Sequence, residues 1–159
     1  MTSSLTRELY KATALTFDSL AFAIVSSELP PPDLATTFDG AVRVGFHGCF
    51  GGHLVLGVSG GILSGLTTSM LGEETTLTPQ SQWDALGELA NVICGNVLSD
   101  IAGKESSFLL DAPSRAAETD LIAPPDAQAA RIELGVEGGR ADVLLVLDKA
   151  PASAEGGRP

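Results

Sequence analysis

A helix signal over residues 79–102 is the strongest constraint on how this chain folds. Thr78 followed by Pro79 is a good N-cap and first-turn pair, and Gly103 is a suitable stop signal. At about 100° per residue, one sector of this helix carries five apolar residues: Leu86, Ala90, Ile93, Val97 and Ile101. A helix with one apolar face needs a second layer to cover it, and the rest of the chain must supply that layer.

Two further helices are predicted. The chain from Ser3 or Ser4 to about Ser27 has no proline or glycine and repeats apolar residues at helical spacing, until the prolines of ELPPPD at 28–33 stop it. A shorter helix is predicted from about Gly61 to Leu71, with Ser59 as its cap.

Strand patterns fill most of the remaining chain. Two predicted hairpins comprise 41–47 with 53–58, and 130–136 with 141–148. The unbroken apolar run in ADVLLVLD predicts a central strand that is covered on both faces. A short strand is predicted within 106–113, and 114–128 is interpreted as a loop or irregular edge structure.

The order of these elements predicts an α/β domain of the layered α+β kind. A long N-terminal helix and a hairpin precede two helices, which pack with the first on a mostly antiparallel sheet. Residues 1–150 are predicted to form this single domain, and 151–159 a disordered tail.

Charge and composition exclude several classes of function. Acidic residues outnumber basic ones 20 to 9. The resulting net charge of −11 would repel the phosphate backbone of nucleic acid. No signal peptide is apparent, and no apolar run approaches the roughly 20 residues of a membrane span. Cys49 and Cys94 are too few for a disulfide framework. We expect a soluble, reduced, cytoplasmic protein with no nucleic-acid or membrane partner.

A polar stripe lies opposite the apolar sector of the helix at 79–102. It consists of Asp84, Glu88, Asn91, Gly95 and Ser99. Any amphipathic helix needs a solvated face, which is the simpler interpretation. However, glycine costs about 1 kcal/mol in a helix interior and asparagine is a mediocre helix former, so a flat docking strip for another molecule is the alternative.

Other candidate sites are weaker. His47, Cys49 and His53 surround the first hairpin turn but match no metal-ligand spacing, and the glycines of that turn lack the sequence of a phosphate loop. Cys94 lies at the margin of the apolar sector and is interpreted as a small buried hydrophobe rather than a nucleophile. Trp83 is interpreted as a packing residue, with contact to a partner as the alternative.

The segment DALGELANVICGN at 84–96 resembles the CheC and CheX family of chemotaxis phosphatases, whose signature is a helix with Glu-x-x-Asn. Here the motif is Glu88 and Asn91, preceded by Asp84. VRVGFHGCFGGHLVLGVS, MLGEE and FLLDAP also resemble the family, so the likeness covers about 41–113. Only one copy of the motif is present, which resembles CheX rather than the usual two-motif CheC.

The resemblance implies that the substrate is the phosphoaspartate of a CheY-like receiver domain of a response regulator. Asn91 would orient the attacking water and Glu88 would pair with the receiver's lysine. Asp84, Gly95 and Ser99 would contribute to partner binding, with helix capping an alternative role for Asp84. The receiver would supply Mg²⁺, so this chain would bind no cofactor, and a homodimer is implied. The competing hypothesis is a non-catalytic docking module of the same fold, as in flagellar switch components.

Overall fold

Three helices pack on one face of a seven-stranded sheet in the computed structural model, which describes residues 2–31, 38–74 and 76–148. The helices are α1 (Thr2–Ala21), α2 (Leu63–Leu71) and α3 (Pro79–Ala102). The strands are β1 (Val25–Ser26), β2 (Phe38–Gly48), β3 (Gly52–Ser59), β4 (Phe108–Leu110), β5 (Ser114–Ala116), β6 (Gln128–Val136) and β7 (Gly139–Leu147). The predicted tail lies outside the described residues. No helix in the described ranges is long and apolar enough to cross a membrane.

The sheet is built from antiparallel neighbours in the order β1-β6-β7-β3-β2-β4, and β5 pairs with the same outer edge of β2 as β4 does. Both predicted hairpins are present, as β2 with β3 and β6 with β7. β7 lies between β6 and β3, and its side chains are buried on both faces, which confirms the predicted central strand.

The core lies between the helices and the sheet. The predicted apolar sector of α3 is buried at Leu86, Ala90, Ile93 and Val97, and it is half-buried at Ile101 near the helix end. Alternate residues of the central strands, such as Val143 and Leu145, belong to the same cluster. The intervening Leu144 and Val146 contact a smaller cluster on the opposite face, which Leu121 covers.

The first helix is shorter than predicted. It ends at Ala21 because Phe22 adopts a left-handed backbone with φ 55°, and the Ala23 N–H then donates to the Phe17 carbonyl. The chain continues as β1, which pairs with the end of β6. The apolar periodicity that extended the prediction to Ser27 therefore comes partly from residues of this strand and its lead-in.

The stretch interpreted as a loop or irregular edge structure is more ordered than its composition indicates. β5 lies within it, and a short 3₁₀ helix spans Glu118–Leu121. The predicted strand over 106–113 is confined to β4. β2 is long enough to accept β4 and β5 at different points along one edge, and this pairing orders short segments that have little strand signal of their own.

The cap of α2 differs from the prediction. The N–H groups of Gly61, Ile62 and Leu63 donate to the carboxylate of Asp39 at 3.0, 2.7 and 3.2 Å. Ser59 is still part of β3 and caps nothing at the helix N-terminus, so the predicted cap is wrong. A carboxylate from β2 satisfies these donors and complements the positive end of the helix.

We predict that Asp39→Ala lowers the free energy of unfolding by about 1–2 kcal/mol, because it leaves three backbone donors without their acceptor. The matched control Ser59→Ala is expected to change it by less than about 0.5 kcal/mol. Urea unfolding followed by circular dichroism measures both. Equal losses in the two variants would contradict the assignment of the cap to Asp39.

Candidate functional site

The polar stripe of α3 lies on the outer side of the helix layer. Asp84, Glu88 and Gly95 are exposed, whereas Asn91 and Ser99 are half-buried. The burial of the opposite sector brings all five residues to the same side of α3. Helical geometry alone, without any loop, therefore positions these residues.

The start of α3 is fixed by a reciprocal cap. The Ser81 N–H donates to Thr78 Oγ1 at 3.0 Å, and the Thr78 N–H donates to Ser81 Oγ at 2.9 Å. Pro79 occupies the first turn, where its missing N–H costs nothing. The predicted Thr78 cap is therefore confirmed, and it fixes the helix start six residues before Asp84.

Two other elements flank the stripe. On one side α1 contacts α3, where Asn96 Nδ2 donates to Thr16 Oγ1 at 3.4 Å. On the other side, a Cβ at Gly87 would lie 3.2 Å from the Pro113 ring, so glycine permits the close approach of the β4–β5 connection. There the Arg115 guanidinium lies 4.7 Å from the centroid of the Trp83 ring.

Asn91 has unused hydrogen-bonding capacity. Its Oδ1 atom is buried, and no donor among the described residues reaches it. A buried acceptor without a donor costs about 1–3 kcal/mol, so most such atoms in proteins are paired. The residue as a whole is only half-buried. An amide in this state is suited to an additional hydrogen bond that the isolated chain does not make.

The two carboxylates of the stripe differ in their surroundings. Asp84 Oδ1 accepts a hydrogen bond from Gln80 Nε2 at 2.8 Å. Glu88, one turn further along the same side, makes no ion pair or side-chain hydrogen bond with any residue in the described ranges. Its carboxylate is exposed and can form an ion pair with a cationic group of another molecule.

Gly95 faces open space. A Cβ built there would meet no atom within 4 Å other than those of its own helix and chain neighbours. Packing within the described structure therefore gives no reason for a glycine in the middle of this exposed helix face.

A groove beside the carboxylates was not predicted from the sequence. It has a volume of about 520 Å³, and its lining includes Leu20, Phe22 and Met70 together with Asp84 and Glu88. Phe22 fell within the predicted first helix, and no local pattern indicated that α1 and α2 border the stripe. Only the tertiary arrangement brings these apolar residues to Glu88.

The candidate ligands of the first hairpin turn lie in different surroundings. His47 Nε2 lies 3.3 Å from Asp111 Oδ2 on the surface, and Cys49 is exposed. Burial, followed by the positive charge of Arg43, lowers the pKa of His53. Within the described ranges, no three His, Cys, Asp or Glu side chains are grouped to hold a metal ion.

Cys94 behaves as a core residue. It is fully buried, and desolvation raises the pKa of its thiol to about 12. The thiol therefore stays protonated at neutral pH and is a poor nucleophile. Trp83 packs partly against the core, in agreement with its interpretation as a packing residue, and also contacts Arg115.

Comparison with known proteins gives a consistent match. The family model described as chemotaxis phosphatase CheX matches residues 41–136. No curated protein matches the chain significantly.

Several solved structures share the fold. CheX from Desulfovibrio desulfuricans is 17% identical, with a TM-score of 0.70 over 91% of this chain and 99% of that chain. A chain of the CheX–CheY–BeF3–Mg²⁺ complex from Borrelia burgdorferi is 14% identical, with a TM-score of 0.64 over 90% of this chain and 97% of that chain. The FliM middle domain from Helicobacter pylori is 13% identical, with a TM-score of 0.51 over 96% and 91%. At these identities the likeness is one of fold.

Proposed function

Because the chain belongs to the CheX family of chemotaxis phosphatases, we propose that it hydrolyses the phosphoaspartate of a CheY-like receiver domain. The observation that carries the proposal is the Asn91 amide, whose buried Oδ1 meets no donor among the described residues. The same helix face also presents the exposed carboxylate of Glu88, which has no partner within those residues. The complex of the Borrelia CheX with CheY supports a receiver as the partner.

Asn91 is proposed to orient the attacking water. A carboxamide donates and accepts hydrogen bonds and carries no charge, so it can hold a water in line with phosphorus without repelling the phosphoryl group. The water attacks phosphorus, the bond to the aspartyl oxygen breaks, and inorganic phosphate and a free aspartate are released. Because an acyl phosphate is already labile, positioning is the main requirement.

Glu88 is proposed to pair with the lysine of the receiver's active site. Its exposed carboxylate lies one helical turn from Asn91, so this ion pair sets the register in which the amide reaches the phosphoryl group. Asp84, Gly95 and Ser99 are proposed to line the same contact, because they extend the stripe on both sides of these two residues.

Mg²⁺ is proposed to come with the receiver, where it neutralises charge on the phosphoryl oxygens. This chain would then need no cofactor of its own. A receiver substrate also implies that the protein acts in the cytoplasm.

A homodimer is proposed on the open edge of the sheet. In the described part of the chain, β1 pairs only with Val136 and Gly135 of β6, so residues 128–134 have no strand neighbour on that side. Such an edge presents free N–H and C=O groups to a second copy.

We predict that Asn91→Ala lowers kcat for phosphoreceiver hydrolysis about 100-fold and leaves receiver affinity within about threefold, because it removes the group that positions water. Glu88→Ala is expected to raise KM about tenfold through loss of the ion pair. The decay of phosphorylated receiver domains from the same genome, in Mg²⁺, measures both parameters.

The matched control is Asn96→Ala. It removes an amide from the same helix, but this amide already has a partner within the chain, the hydroxyl of Thr16. It should retain activity. Receiver binding without accelerated decay by the wild-type protein would instead favour the non-catalytic docking module, a function compatible with the fold similarity to FliM.

We further predict that Gly95→Ala raises the free energy of unfolding by up to about 1 kcal/mol, through better helix propensity, yet raises KM for the receiver. Gly65→Ala on α2 is the matched control, since a Cβ there also has no described neighbour within 4 Å. It should stabilise the fold similarly with no effect on KM. Equal kinetics in both variants would remove Gly95 from the proposed contact.

For the dimer, sedimentation equilibrium is expected to give twice the 16.3 kDa mass of one chain at micromolar concentration. Amide hydrogen exchange should slow with rising concentration in residues 128–134, where the new ladder would form. A mass of one chain across the range, or protection elsewhere, would exclude this edge as the interface.

A further inference from the structure

The backbone conformation of Phe22 and the exposure of its side chain are both unfavourable for the stability of the free chain. Its φ of 55° places a non-glycine aromatic residue in the left-handed region, at a helix end where glycine or asparagine fits more readily. Its side chain is also 75% exposed, so the phenyl ring gains little from burial. Neither feature is explained by packing within the described structure.

The ring of Phe22 borders the groove beside the polar stripe. Leu20 and Met70 pack partly against the core and form fixed apolar walls, and Asp84 and Glu88 add two carboxylates. Glu88 therefore belongs both to this groove of about 520 Å³ and to the stripe that carries Asn91. A molecule that fills this groove would therefore contact both Glu88 and Phe22.

We propose that this groove docks the receiver domain and that Phe22 is its main apolar contact and a determinant of receiver specificity. The inference rests on the proposed function, which already places a receiver lysine at Glu88. It adds an apolar side chain of the receiver, next to that lysine, that packs against Phe22, Leu20 and Met70.

The charges of the groove favour a receiver over a second copy of this chain. Two carboxylates beside apolar walls suit a cation whose aliphatic stem lies along those walls, with an apolar neighbour beside it. A second copy that docked here through the same groove would bring its own Asp84 and Glu88 against these carboxylates, which like-charge repulsion disfavours.

The decisive variant is Phe22→Asn, which suits the left-handed backbone and removes the apolar ring. We expect KM for the phosphoreceiver to rise about tenfold or more, as for an anchor residue, with kcat unchanged and the melting temperature unchanged or higher. Phe22→Leu keeps an apolar group and should stay within about threefold of the wild-type KM.

Ile122→Asn is the matched control, because Ile122 is 70% exposed next to the 3₁₀ helix, away from the groove. Its KM should equal that of the wild type. Titration of each variant with receiver domains from the same genome, phosphorylated by acetyl phosphate in Mg²⁺, gives affinities alongside the kinetics.

The outcomes separate this inference from the proposed function. Accelerated decay by the wild-type protein with an unchanged KM in Phe22→Asn overturns the docking role alone. No binding and no acceleration with any receiver overturns both. If Phe22→Asn instead dissociates a dimer and leaves KM unchanged, the occupant is a second copy and the proposal is wrong.

Discussion

The apolar sector of α3, buried through Leu86, Ile93 and Val97, fixes the rotation of this helix about its axis. Because each residue of a helix is rotated by about 100° from the one before it, the side of α3 that carries Glu88 and Asn91 faces outward once these apolar residues face the sheet. The reciprocal cap at Thr78 fixes the start of the helix along the chain. A site on such an element holds its side chains more precisely than a loop would, which suits a reaction that depends on positioning.

Elements with strong local signals could be predicted from the sequence. The rotation and cap of α3 and the buried run of β7 depend on periodicity and on neighbouring residues, and all were confirmed. The cap of α2 could not be predicted in this way, because Asp39 lies more than 20 residues before the N–H groups it accepts from. β5 was interpreted only as loop or irregular edge structure, since its order comes from pairing with β2 rather than from its own residues.

The candidate site likewise has one part that could be predicted from local sequence and one part that depends on tertiary structure. The stripe from Asp84 to Ser99 is a property of one helix, so spacing alone placed its members on one side. The groove forms only where the ends of α1 and α2 meet α3. Because the first helix was predicted to continue to about Ser27, Phe22 was interpreted as a helical residue, whereas α1 ends at Ala21. The roles of Glu88 and Asn91 depend on a second molecule and stay predictions.

Three unfavourable features of the free chain lie on α3 or beside it. They are the Asn91 Oδ1, which no described donor reaches, the exposed helical Gly95 and the left-handed Phe22, and each reduces the stability of the free fold. On the face of the sheet that points away from the helices, by contrast, the buried Asp142 accepts hydrogen bonds from both Arg131 and Arg140. Departures from local consistency that cluster on one surface are typical of functional sites, since a partner can supply the missing donor and cover the ring. A partner at this surface would therefore supply contacts that the described residues do not provide.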